Sequence, residues 1–226
     1  MSTIGLLNEK PLHAALKAWY AQPGDQMEVP VDGFVIDIVR DDLLLEIQTG
    51  NFASIKSKLI NLTGSHQVRL IYPIALEKWI VKLPKDHRGG VTRRKSPKRG
   101  RVEELFREMV RFPQLPANRN FSLEVLLTRE EEIRRYEGKR QWRRRGWVVE
   151  ERRLLDVADR RLFADLVDWR ELVPEKFASF TALDLAEATG IGRPLAQKMA
   201  YCLRKARVIE LTGKRGRAYL YKAAGT

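Results

Sequence analysis

Asp37, Glu46 and Gln48 stand inside two strongly apolar runs, FVIDIV and LLLEIQ, separated by the polar triplet RDD. A carboxylate among aliphatic side chains costs free energy unless something compensates it. Val31–Ile38 and Leu43–Gln48 each have the length and β-branched content of a strand, and residues 40–42 read as a tight turn, so the two runs form a hairpin. Side chains alternate across a strand. That puts Asp37, Glu46 and Gln48 on one face and Ile36, Ile38, Leu45 and Ile47 on the other. Two carboxylates held side by side repel each other unless a cation sits between them. Mg2+ (or Mn2+) takes oxygen ligands and keeps waters, one of which can attack a phosphodiester.

The surrounding elements must hold that hairpin. Leu12, Leu16 and Trp19/Tyr20 have helical spacing in residues 9–21, with Pro11 suited to the first turn. Phe52, Ile55, Leu59 and Leu62 repeat at i, i+3, i+7 and i+10, an amphipathic helix. Val68–Ile74 and Lys78–Leu83 read as two further strands. Helix, hairpin, helix and strand in this order predict an α/β layer with a mixed sheet. Residues 86–101 carry seven Lys/Arg among Gly, Pro and Ser, the composition of a loop or a locally disordered basic arm. A short helix (102–111), a strand (120–128), a second strand from Trp147 and a helix over 160–172 follow.

From Pro174 the character changes. Thr181 is an N-cap and Gly190 a helix stop, Pro194 opens a long helix to about Ala206, and two short strands flank a Gly-Lys-Arg-Gly loop. This succession resembles a winged helix-turn-helix. The expected organisation is a core (1–86), a basic middle segment extending it (87–172) and the winged module (173–226).

The pattern ID-x8-EIQ, read with its flanking elements, resembles the D…(D/E)-x-K signature of the PD-(D/E)xK nuclease superfamily over roughly residues 5–85. The resemblance implies a restriction-endonuclease-like mixed sheet flanked by helices. It implies that Asp37 and Glu46 bind Mg2+ or Mn2+, with the Ile47 carbonyl as a further oxygen ligand and Glu9, at the head of the first helix, completing the site. Gln48 occupies the position where the family usually has Lys. An amide takes no proton near neutral pH, so Gln48 orients the attacking water and Lys56 or Lys58, on the following helix, supplies the positive charge. E-x-Q variants occur in active members. Members often dimerise to cut both strands, which makes a homodimer one expected assembly.

Charge distribution points to a polyanionic partner. The net charge is +13; residues 1–86 hold 9 basic and 10 acidic residues, and residues 87–226 hold 33 and 19. DNA contacts are expected from Arg93, Arg94, Lys95, Lys98 and Arg99, and from Arg140, Arg143, Arg144 and Arg145, where Trp142 and Trp147 supply stacking surfaces. In the winged module they fall to Arg193, Gln197 and Lys198 on the second helix and to Lys214, Arg215 and Arg217 at the wing.

Other chemistries are poorly represented. A single cysteine, Cys202, excludes an intramolecular disulfide and a Cys-based zinc site, and His13, His66 and His87 lack metal spacing. No Walker spacing or G-x-S-x-G elbow occurs. No basic-then-apolar leader opens the chain, so a cytoplasmic setting is expected. The expected function is a metal-dependent DNA endonuclease. The alternative is a nuclease-like DNA-binding protein or winged-helix regulator that does not cut.

Overall fold

The computed structural model describes residues 10–85, 89–138, 146–174 and 177–224. Helix α1 (Pro11–Tyr20) carries Pro11 at its first position and buries Leu12, Leu16 and Tyr20. Strands β1 (Gln26–Val31), β2 (Phe34–Arg40) and β3 (Leu43–Ile47) form an antiparallel meander. The expected single strand Val31–Ile38 is interrupted: Val31 pairs with Phe34 across a two-residue turn. Asp32 (φ 49°) and Gly33 (φ 81°) both lie in the left-handed region that an Asp-Gly hairpin turn requires.

A 3-10 turn (Phe52–Ile55) and helix α2 (Lys56–Leu62) carry the chain from β3 to β4 (Gln67–Lys82), which runs parallel to β3. A parallel neighbour needs such a crossover. Phe52, Ile55, Leu59 and Leu62, the expected apolar positions, are all buried. Strand β4 is continuous where two strands were expected. The Ile71 carbonyl accepts from the Gln48 backbone N–H at 2.9 Å, and Ile47↔Ile71 is the last pair with β3. Pro73 shares the side of Ile71, so its missing N–H falls just past the point where β3 ends.

Residues 92–95 form strand β5 (Thr92–Lys95), antiparallel to β4, inside the segment expected to be a loop or disordered arm. Trp79 pairs with Lys95 and lies beneath the Arg93 and Lys95 side chains at 5.0 and 5.2 Å. Helix α3 (Phe106–Met109) follows a 3-10 turn at Val102–Leu105. Strands β6 (Phe121–Tyr136) and β7 (Trp147–Phe163) are both longer than expected. The sheet has the order β1-β2-β3-β4-β6-β7, with β5 on β4. The molecule is thus α/β, with a large mixed sheet flanked by helices.

Helix α4 (Leu166–Arg170) begins with a capping box in which Asp165 accepts from the backbone of Val167 and Asp168 while Asp168 accepts from that of Asp165. Asp165 and Asp168, at helical i, i+3 spacing, thus form a helix start. Helices α5 (Ala182–Thr189) and α6 (Arg193–Lys205) precede the hairpin β8 (Ile209–Arg215) and β9 (Ala218–Ala223). Thr181 caps α5, and Gly190 ends it in the left-handed region at φ 68°. The hairpin turn is Gly216-Arg217, tighter than the expected Gly-Lys-Arg-Gly loop.

The chain forms two compact units, each assembled from separate segments: Met1–Pro23, Pro73–Arg101 and Leu126–Arg160 in one, and Gly24–Tyr72, Val102–Val125 and Arg161–Thr226 in the other. The first unit buries charge in cross-strand pairs, Lys78 with Glu132 at 2.9 Å and Arg152 with Glu130 at 2.7 Å. The second has an aromatic core in which Phe52 stacks on Phe112 at 5.2 Å and Phe163 on Trp169 at 4.4 Å. Among the described residues, no helix is long and apolar enough to cross a membrane.

Candidate functional site

The site lies in the second unit, on the β2–β3 hairpin and the start of α2. Ile38 pairs with Leu45, and one step further along that register Asp37 stands opposite Glu46. Ile36, Ile38, Leu45 and Ile47 are all buried with at most 1% exposure, so the hydrophobic drive that seats them fixes the direction of the acids. Asp37 Oδ2 accepts from the Ile47 backbone N–H at 2.8 Å, which locks that carboxyl against the edge of β3.

Glu46 is 7% exposed. Its Oε1 receives the Lys58 ammonium at 2.6 Å, and the same ammonium donates to the Val35 carbonyl at 2.6 Å. Its Oε2 is buried with no hydrogen-bond partner among the described residues. Burial, and after it the charge of Asp37, raises the Glu46 pKa from 4.5 to about 7, with Lys58 opposing both. Lys58 therefore does not offset the burial of Glu46, and half of that carboxylate lies out of water with no hydrogen-bond partner among the described residues.

Lys58 makes this contact, while Lys56, two residues earlier on α2, is exposed. The Gln48 amide group donates to the Gly50 carbonyl and, at 3.3 Å each, to the Asn51 carbonyl and the Ser54 hydroxyl. These bonds fold the turn that leads into the 3-10 segment. They leave Gln48 Oε1, an acceptor, without a partner among the described residues. Ile47 closes β3. Glu9 lies outside the described residues.

A buried, unpartnered carboxylate oxygen beside a second carboxylate is an oxygen-only donor set, and it fits a small hard cation such as Mg2+ or Mn2+. Among the described residues, no group of three or more His, Cys, Asp or Glu gathers to hold a metal. The carboxylates present at this place are two, so water would have to complete any coordination set.

The basic residues are distributed unevenly between paired and unpaired states. Arg93 is bound to Glu131 at 2.6 Å, and Lys95 and Arg99 share Glu77 at 2.8 and 3.4 Å. Arg94, on the opposite face of β5, is exposed and makes no ion pair among the described residues. Lys98 is exposed, and its backbone N–H donates to Ser96 at 3.3 Å. Arg140, Arg143, Arg144 and Arg145, with Trp142, fall outside the described residues. Trp147 packs edge-on to Tyr136 with Lys82 over its ring at 4.4 Å.

On the C-terminal elements Arg215 is tied to Asp184 at 3.0 Å, Lys214 lies over Tyr219, and Lys198 is an exposed side chain of α6. Arg193, Gln197 and Arg217 line a cavity that α5, α6 and the β8–β9 hairpin enclose. Arg204 joins them, as do Tyr201, Leu211 and Tyr219, which were not expected as site residues. Their signal was present in the sequence, since Arg193, Gln197, Tyr201 and Arg204 follow helical spacing on the exposed side of α6.

Comparison with known proteins gives family membership. Residues 10–164 match the family described as Domain of unknown function (DUF8091). Over 223 residues the chain is 29% identical to an "Uncharacterized protein" of Treponema pallidum (strain Nichols), covering 97% of this chain and 87% of that one. No solved structure matches the chain. With more than half of its length matched, the chain belongs to the DUF8091 family.

Proposed function

We propose that the protein is a metal-dependent DNA endonuclease of the PD-(D/E)xK type, with a winged helix formed by α5, α6 and the β8–β9 hairpin. The observation that carries this reading is the partnerless, buried Oε2 of Glu46 beside Asp37. A structural ion pair between Glu46 and Lys58 alone has no use for that oxygen. Asp37 and Glu46, with the Ile47 carbonyl, would hold Mg2+ or Mn2+. Bound there, the ion supplies Lewis acidity toward a phosphoryl oxygen and acidifies a water.

The chain's own residues do the remaining work. Asp37 is held in place by the Ile47 N–H. Lys58 balances the charge of Glu46 and would offset negative charge that develops on a phosphate. Gln48 Oε1 accepts a hydrogen bond from a water and so orients its lone pair, since its amide nitrogen is committed to the neighbouring turn. Exposed cations of both units grip the phosphate backbone.

A second reading, a DNA-binding protein that does not cut, is favoured by the two-carboxylate donor set and by the existing Lys58–Glu46 pair. The experiment that separates them incubates duplex, single-stranded, branched and mismatched DNA with the purified chain and Mg2+ or Mn2+. Cleavage that chelator stops and that Asp37→Ala reduces by about 100-fold or more supports the nuclease. Absence of cleavage on every substrate, or full activity in Asp37→Ala, removes it.

A further inference from the structure

The cavity between α6 and the β8–β9 hairpin is chemically unlike the surface around it. Its volume is about 470 Å3, within the range of roughly 300–1,000 Å3 typical of ligand sites. Three arginines, Arg193, Arg204 and Arg217, line it, and no acidic residue does among the described residues. None of the three forms an ion pair among the described residues. Arg215, one residue outside the hairpin turn, is by contrast neutralised by Asp184. Between the arginines stand two large, exposed rings, Tyr201 at 40% and Tyr219 at 54%, with Leu211 at 43% beside them. Neither ring stacks on another aromatic among the described residues.

Unpaired guanidinium groups around exposed aromatic faces recognise a flat, apolar group flanked by anions. A nucleotide has that chemistry: the base offers a π-face and the phosphates on either side offer charge. In an intact duplex both faces of each base are covered by neighbours, so only an unpaired nucleotide can enter. We propose that this cavity takes an unpaired nucleotide of a DNA strand, with its base on Tyr201 and Tyr219 and its flanking phosphates on Arg193, Arg204 and Arg217. The protein then selects DNA with a single-stranded end, gap or junction over continuous duplex. The inference rests on the proposed handling of DNA and is independent of cleavage.

The test measures fluorescence anisotropy of the full chain with a labelled blunt duplex and with the same duplex carrying a short single-stranded tail. Wild type is expected to bind the tailed DNA at least about five-fold more tightly, the lower end of what stacking one base contributes. Tyr201→Ala with Tyr219→Ala should bring the ratio of the two affinities to one. The Phe versions, which keep the rings, should preserve it. Both tyrosines are exposed, so the thermal transition should stay in place and confirm folding.

The inference is overturned if wild type binds both DNAs equally, or if the Ala variant weakens both in the same proportion. It is also overturned if free dAMP displaces the tail at concentrations near the oligonucleotide's own, or if an RNA tail binds as well as a DNA tail. Asp37→Ala separates the two readings. A tail preference that persists in a protein with no cleavage leaves this inference standing without the nuclease, and cleavage with no tail preference does the reverse.

Discussion

A carboxyl group buried beside another carboxyl releases its proton late. Glu46 does so because burial removes its water and Asp37 adds a second negative charge, and Lys58 only partly offsets them. Its pKa is raised from 4.5 to about 7, so the folded chain holds this proton where the unfolded chain has lost it. Stability must therefore fall as pH rises across that window, by something on the order of 3 kcal/mol when complete. Glu46→Gln keeps the shape without the charge. Urea unfolding at pH 5 and pH 8 should show a smaller loss in the variant than in wild type, with the variant the more stable at pH 8. Equal losses in the two proteins would remove the buried-charge account. The facing of Asp37 and Glu46 was legible from strand alternation and turn length alone. The choice between Lys56 and Lys58 was not: two residues on a helix point about 200° apart, and the phase was set by a 3-10 turn that the apolar pattern does not distinguish from α-helix.

At the scale of elements, α2 was readable because its apolar residues keep one period, and the β2–β3 hairpin because two apolar runs flank a short polar turn. The longer strands were not. Glu130 and Glu132 sit in a run that reads as a solvated surface, REEEIRR, yet they are 0% and 7% exposed. Their partners, Arg152 and Lys78, come from other strands, and nothing local in the sequence announces a cross-strand partner. The same holds for β5, whose cations looked like a loose arm until Glu77, Glu131 and Trp79 were found beneath them. The Glu130 pair gives this scale its prediction. Arg152→Met leaves a fully buried carboxylate with, among the described residues, only the Thr128 hydroxyl, 2.6 Å away. The loss should be about 3 kcal/mol, read as a lower urea midpoint at unchanged slope, and replacing Glu130 by Gln in the same chain should recover part of it. A change within a few tenths of a kcal/mol would mean that water reaches Glu130.

At the scale of the whole molecule, all of the excess positive charge lies beyond residue 86, but pairing decides which of it is available. Arg93, Lys95, Arg99 and Arg215 are engaged with acids, while Arg94, Arg193, Arg204 and Arg217 pair with none among the described residues. Duplex affinity measured across a series of KCl concentrations should fall steeply, and Arg94→Ala should lower the magnitude of the log–log slope by about 1, while Arg93→Ala changes it less. A slope near zero would end the polyanion reading. The central claim, that Asp37 and Glu46 form one divalent-cation site, is tested most directly by crystals of the intact chain soaked in Mn2+ and measured for anomalous scattering. A peak between the Asp37 and Glu46 carboxylates, lost in Asp37→Ala, is the predicted result. Anomalous density elsewhere with none at this pair, or a Glu46 that keeps Lys58 as its sole partner at saturating Mn2+, would contradict it.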